Sequence, residues 1–446
     1  MKMQTKLQNQ AREEYKQTEL GLLPKEWKVV RLGDIFTEVD KKTRRTEIFP
    51  EENYKIILTK LYAKGIQLKE IKPGGKISAK YMYVIKDGDF IFSKINLRKG
   101  AFDFVPSELS GAVVSTEHPI LKLDRQKANQ QYVKFYFSQP FTWELFKREA
   151  KGFSGKERIK VREFMTVKIP LPPLQKQKAI AFVLSTIQTA KEKTEQVIQA
   201  TKELKKSLMK HLFTYGPVSL KDAEKVKLKE TEIGKIPEGW DVVRLIETAE
   251  KDSDIVGGPF GSNLKVSDYK NSGVPIIRLQ NIERNMFVNK DIKYVSEEKA
   301  EELRYHSFRA GDIILAKLGD PIGKTCIVPD YLTKGIVVAD VARIRTKEDI
   351  TDKKYIVHVL NSSFVEKQFR QQKTGTTRPR VNVSNVRNIK IPLPPLQTQK
   401  KIASILSAVD EKIEKEENKK KALEELFKSM LYNLMSAKIR VKDLGG

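Results

Sequence analysis

Cysteine, histidine and long apolar runs are what this chain has least of. Cys326 is the single cysteine, so neither a disulfide framework nor a thiolate metal cluster can form. The four histidines, His118, His211, His306 and His358, stand tens of residues apart and show no zinc spacing. No cofactor or metal is expected. No stretch approaches the roughly 18–20 consecutive apolar residues of a membrane span. The first seventeen residues, MKMQTKLQNQAREEYKQ, lack the apolar segment of a secretion signal. A reducing, cytoplasmic setting without a membrane partner is therefore expected. The segment GDPIGKT (Gly319–Thr325) has one residue too few between its glycines for a phosphate-cradling G-x4-GK[ST] loop. It reads as a turn between strands that offers Lys324 and Thr325 to a polyanion. The scattered histidines and Cys326 give no nucleophile–base pair by spacing, and Cys326 reads as a small core residue. No catalytic residues are assigned.

Acidic residues are also in short supply. Against 84 Lys+Arg stand 57 Asp+Glu, a net charge of +27. An excess of that size repels itself unless a polyanion neutralises part of it, and nucleic acid is the default partner. The competing reading is a lysine-rich, heat-adapted surface. At 39% hydrophobic and 8% aromatic the composition is that of a globular protein, and 446 residues allow two or three domains.

The chain contains itself twice. TELGLLPKEWKVVRL (Thr18–Leu32) returns as TEIGKIPEGWDVVRL (Thr231–Leu245), identical at nine of fifteen positions. VKIPLPPLQKQKAIAFVLSTIQ (Val167–Gln188) returns as IKIPLPPLQTQKKIASILSAVD (Ile389–Asp410), identical at fourteen of twenty-two. The offsets are 213 and 222, so the second copy carries about nine extra residues between its markers. Each copy is a rewritten block held between a fixed opening motif and a fixed closing motif.

Gly and Pro in the opening motif punctuate a turn, and Trp27 or Trp240 can anchor the following Val-Val strand. Inside the blocks, YMYVIKDGDFIFSKI (Tyr81–Ile95) and FRAGDIILAKL (Phe308–Leu318) read strand, turn, strand. The blocks are expected to be mainly β with some helix, in curved, barrel-like sheets. The closing motif is extended by its prolines. After Leu174 or Leu396 about forty residues follow with no Gly or Pro. Ile402, Leu406, Val409, Ile413, Leu423, Leu426, Phe427, Met430 and Leu434 fall on a 3–4 repeat, as do Ile180, Leu184, Ile187, Ile198, Leu204, Leu208 and Leu212. Such a stripe marks an amphipathic helix packed on another helix. Forty residues span roughly 60 Å, more than one such block needs, so the two helices are expected to pair antiparallel as a spacer.

These residues resemble the specificity subunits of Type I restriction–modification enzymes. The resemblance runs from Thr18 to about Leu434. It rests on the duplicated TEIG-x-IP-x-x-W and IPLPPLQ-x-QK motifs, the long helix after each, and segments such as GDFIFSKINLRKGAF (Gly88–Phe102) and VPIIRLQNI (Val274–Ile282). It implies an α+β protein: two mixed, mainly-β target-recognition domains joined by two long antiparallel, coiled-coil-like helices in an internal pseudo-two-fold duplication. The expected division is an N-terminal segment 1–17, a first recognition domain 18–173, a first spacer 174–217 and a linker 218–230. A second recognition domain 231–395, a second spacer 396–436 and a tail 437–446 follow. Each domain would read one half of a bipartite site in double-stranded DNA. The helices would set the gap and dock two methyltransferase subunits, with restriction/translocase subunits joining for cleavage. The chain itself would be non-catalytic, and no N/D-P-P-Y/F motif for adenine methylation occurs. A stand-alone DNA-binding protein or transcription factor is the alternative; it explains the charge but not the paired helices, and no helix-turn-helix or zinc-finger signature is present.

Four basic or amide-rich segments carry the side chains suited to bases and phosphates. In the first block they are Lys94, Asn96, Arg98 and Lys99, and then Ser154, Lys156, Arg158 and Lys160. In the second they are Arg278, Gln280 and Asn281, and then Thr374, Thr376, Thr377, Arg378, Arg380 and Asn382, with Lys324 and Thr325 besides. A solvated charge is the competing reading for any one of them. Leu208, Leu212, Phe427 and Met430 exceed what one helix seam needs and are candidates for docking a partner; closure of the helix pair is the competing reading.

Overall fold

The computed structural model describes residues 14–150, 157–375 and 379–440. Its plainest logic lies in the duplicated motifs, which bond to each other. Lys28–Arg31 pairs antiparallel with Lys168–Leu171, Arg31 opposite Lys168, and Asp241–Arg244 pairs with Lys390–Leu393 in the same register. The Leu32 N–H donates to the Val167 carbonyl and the Leu245 N–H to Ile389, both at 2.8 Å. The opening and closing motifs thus zip each block shut at its base, with Trp27 and Trp240 buried beside the seam. Pro170 and Pro392 are tolerated because each sits in a two-stranded ribbon.

The glutamine of the closing motif has a fixed task. Gln177, fully buried, accepts from the Asn129 N–H at 2.8 Å and donates to the carbonyls of Lys127 and Pro172. Gln399 repeats this with the Asp352 N–H and the carbonyls of Ile350 and Pro394. Asn129 and Asp352 in turn cap the helices Gln130–Phe137 and Lys353–Leu360. One amide therefore locks the first turn of each long helix to a helix of its own domain.

Each domain is layered. The first has a four-stranded antiparallel sheet in the order Phe102–Phe104, Phe90–Phe92, Ile120–Leu123, Phe36–Glu38. The second has the same order in Thr325–Ile327, Ile313–Ala316, Val341–Ile344, Ile255–Gly257. Residues alternate between two cores. Phe90 and Phe92 face the helices while Ile91 faces the other sheet; Ile313 and Leu315 divide from Ile314 in the same way. The other sheet contains one parallel pairing in each copy, Val113 with Ile56 and Ile276 with Ile336. The sheets are stacked and open rather than barrel-like, because the four-stranded sheet is apolar on both faces and takes helices on one of them. Cys326 lies in the inter-sheet core, where burial pushes its thiol up to about 12.

The long helices span Leu174–Tyr215 and Leu396–Met435. The first ends at Gly216, whose positive φ of 81° lets its N–H close on the Leu212 carbonyl. The chain forms two units: residues to Lys193 with those from Lys420, and Thr194–Lys419. In the second, Lys202 pairs with Glu417 at 2.7 Å and Lys205 with Asp410, so the helices run antiparallel. In the first, Lys191 lies 5.6 Å over the Phe427 ring. Among the described residues no helix is long and apolar enough to cross a membrane.

Candidate nucleic-acid interface

The first domain brings two of its sequence-selected segments together. The Ile159 N–H donates to the Lys94 carbonyl and the Lys94 N–H to Glu117, both at 3.0 Å. Arg98 pairs with Glu157 at 2.6 Å and Arg158 with Glu117 at 3.2 Å. Arg98 is mostly covered by that pairing, whereas Lys99, Arg158 and Lys160 are exposed and Lys94 and Asn96 half-buried. Lys160 precedes the helix Val161–Thr166, its N–H bonded to Glu163. Ser154 and Lys156 lie outside the described residues.

The second domain makes the same stitch with a residue that sequence reading missed. The Val381 N–H donates to the Lys317 carbonyl at 2.9 Å, Leu318 bridges Arg380, and Thr374 and Arg380 exchange N–H···O bonds at 3.0 Å. Lys317 stands where Lys94 stands in the first copy, and Val381 where Ile159 does. The signal was present: GDFIFSKI and GDIILAKL align with their lysines in register. Burial lowers the Lys317 ammonium below the ordinary lysine range, the Arg380 charge adds to this, and Asp340 opposes it. The Gly319 N–H meets the Pro379 carbonyl at 3.2 Å, so the Gly319–Thr325 turn adjoins this stitch. Arg380, Thr374 and Asn382 are exposed, Asn382 capping the helix Val383–Arg387. Thr376, Thr377 and Arg378 lie outside the described residues.

Two other candidates serve the scaffold. Asn281 is fully buried and donates to the carbonyls of Val288 and Lys290. Thr325 is fully buried with its hydroxyl on Gly323. Neither presents a polar atom to a duplex, because each spends its donors on backbone. Lys324 pairs with Glu283 at 2.8 Å. Arg278 and Gln280 both donate to Asp291, whose carboxyl is held below the usual range by Arg278 and then Lys293. Among the described residues no group of His, Cys, Asp and Glu is placed to hold a metal ion.

The family model described as Type I restriction modification DNA specificity domain matches residues 24–203 and 237–425, one match per copy. The chain belongs to this family. It is 30% identical over 458 residues to a putative type I restriction enzyme MjaX specificity subunit of Methanocaldococcus jannaschii, covering 98% of this chain and 99% of that one. It is 28% identical to the MjaVIII specificity subunit of the same organism, covering 95% of each. The crystal structure of a Type I restriction–modification S subunit from M. genitalium superposes with a TM-score of 0.55 at 14% identity, covering 92% of this chain and 96% of that one. That likeness speaks for the fold alone.

As a specificity subunit, the chain was expected to dock partners through Leu208, Leu212, Phe427 and Met430. Of these side chains Leu212 lies in the core of its own unit, while Leu208, Phe427 and Met430 are half-buried against such a core. Leu212 is buried with Ile402 and Leu406, and Leu208 packs on the same cluster. Phe427 meets Phe135 edge to face at 5.9 Å, and Met430 packs on that core. Sequence periodicity could not separate helix–helix from helix–domain packing. Exposed apolar positions on the long helices include Phe182 (73%), Leu204 (54%) and Leu426 (46%), and of these Leu204 and Leu426 match each other at the offset of 222.

Proposed function

We propose that each domain reads one half of a bipartite site in double-stranded DNA, that the paired helices fix the gap, and that two methyltransferase subunits dock on them. Restriction/translocase subunits join that assembly for cleavage, and this chain contributes recognition without catalysis. The observation that carries the reading is the stitch repeated in both domains, Lys94 to Ile159 and Lys317 to Val381. It holds a basic loop at the same place on two otherwise rewritten blocks. Arginine and lysine there suit guanine edges and phosphates, and asparagine suits adenine. Docking is assigned to the helix faces bearing Leu204 and Leu426, exposed in both copies.

Domain exchange tests the recognition half. Replacing Glu51–Lys160 by the matching segment of a relative should change one half of the preferred sequence and leave the other. A change in both halves sinks independent reading. Four residues inserted after Gln199 add roughly 6 Å and about 40°, and should lengthen the preferred gap or abolish binding with both half-sequences kept. Leu204→Glu with Leu426→Glu should abolish methyltransferase capture at an unchanged unfolding temperature.

A further inference from the structure

A cavity of about 500 Å³ opens in the second unit, between the last turns of the first long helix, the Gly234–Pro237 strand and the start of the helix Ser363–Gln372. Its floor is apolar: Met209, Phe213, Ile236 and Phe364, with Phe213 and Phe364 edge to face at 5.7 Å. Its rim is cationic. Lys202, Lys205 and Lys235 are held by Glu417, Asp410 and Glu230, but Lys206 and Lys210 have no acidic partner among the described residues. Glu366, the one acid in the lining, is neutralised by Arg284 and Arg370.

Two further features point to an anion. The helix beginning at Ser363 directs its unbonded first-turn N–H groups and positive end to this place. Ser362 precedes it at 2% exposure, and its hydroxyl neither caps the helix nor has any hydrogen-bond partner. A buried hydroxyl left single calls for an acceptor. The first copy differs at the matching positions: Pro140 for Ser363, Trp143 for Glu366, Phe427 for Lys205 and Tyr432 for Lys210. Gln139, at the place of Ser362, is likewise buried with its Nε2 unpartnered. Proline offers no N–H, and three rings replace charged side chains.

We propose that this cavity binds a phosphorylated small molecule with a flat apolar body, a nucleotide being the class that fits. The phosphate sits at the Ser363 helix start against the Ser362 hydroxyl, Lys206 and Lys210, and the ring system lies on the Phe364–Met209 floor. The proposal uses none of the DNA-reading segments.

The test is calorimetric titration of the full chain with ADP, pyrophosphate and adenosine, at raised salt to screen diffuse attraction to the net charge. ADP should bind once per chain, more tightly than either fragment. Ser363→Pro with Lys210→Tyr installs the first copy's residues, and proline is compatible with a first helical position. This variant should keep its unfolding temperature and its duplex binding while losing ADP affinity at least about tenfold, the scale of one charge-assisted contact. Ser362→Ala, which adds no bulk, should weaken ADP in the same direction. Equal ADP binding by all variants, many sites per chain, or equal competition by an acidic peptide overturns the proposal. Duplex binding in the same preparations is read separately, so failure of the DNA reading is distinguishable.

Discussion

The two domains share one topology and almost none of their core side chains. Phe90, Phe92, Phe102, Phe137 and Phe164 form a ring cluster in the first, with centroids such as 4.9 Å for Phe92 and Phe164 and 5.6 Å for Phe102 and Phe137. At the matching places the second has Ile313, Leu315, Thr325, Leu360 and Val386. The strand order of the four-stranded sheet is unchanged, while the other sheet has five strands in the first domain and four in the second. Position and periodicity of apolar residues thus specify the fold, and shape matching refines it. The domain–helix junction differs more sharply. Phe135 against Phe427 in the first copy becomes His358 in the second, with Lys205 and Asp410. His358 is 3% exposed, its Nε2 is 3.3 Å from the Ser407 hydroxyl, and its Nδ1 is 3.9 Å from Asp410 without a hydrogen bond. An apolar lock has been exchanged for a polar one.

The sharpest way to separate the domains is to break one core. Phe90→Ala should destabilise the first unit by about 3–5 kcal/mol and leave the second untouched, read as one of two unfolding transitions shifting alone. A shift of both refutes separate cores. Next comes pH. Burial, followed by the charges of Lys205 and Lys354, holds His358 down at about 3, against an ordinary 6.5. The unfolded chain therefore binds a proton that the folded chain refuses between those values. The second unit's stability is full above pH 6.5 and falls as pH drops toward 3, by up to about 1.4 kcal/mol per unit. The first unit has Phe135 in that place, and its own contribution of this sign comes from His118, which burial also holds below the ordinary range. Unfolding followed from pH 7 to pH 4.5 checks it. His358→Phe should flatten the second unit's profile, and an unchanged slope removes His358 as the cause.

How far was this legible in residues alone? The duplication, the zipped motifs' positions and the forty-residue helices follow from identity, proline and the 3–4 stripe, all local signals. By residue type alone the closing-motif glutamine is one more polar residue. Its role depends on carbonyls at Lys127 and Ile350, some fifty residues away, which no local pattern reports. Lys317 gives no cluster signal, because it stands alone at the end of an apolar strand. Asn281 went the other way: residue type suggested contact with a partner, and burial assigned it to the fold.

Those glutamines give a prediction in which the copies should agree. Gln177→Ala and Gln399→Ala each strand one N–H and two carbonyls. Each should cost its own unit about 1–3 kcal/mol, with equal effects because the bonds are equal. Markedly unequal losses in urea unfolding show that one site is rescued by water, which breaks the equivalence.

The smallest effects are expected on DNA. Lys94 and Lys317 occupy matching places beside the stitched loops, yet Lys317 is the more desolvated, its ammonium lowered by burial with Arg380 adding to the shift. If both meet phosphates, Lys94→Ala and Lys317→Ala should each weaken binding about evenly across target sequences and reduce the salt slope by about 1. Phosphate is the expected contact because a lysine ammonium is a point charge without the fork that reads a base bidentately. The copies should then part in the absence of DNA. Removing Lys94, half-buried and close to Glu117 and Arg158, should leave the first unit's stability unchanged. Removing Lys317 relieves a cation from burial beside Arg380, so the second unit should hold its stability or rise slightly. A base-specific role is shown instead if one variant alters preference at a single target position while the salt slope stays fixed. That result at Lys317 alone would mean that the shared stitch supports two different modes of reading.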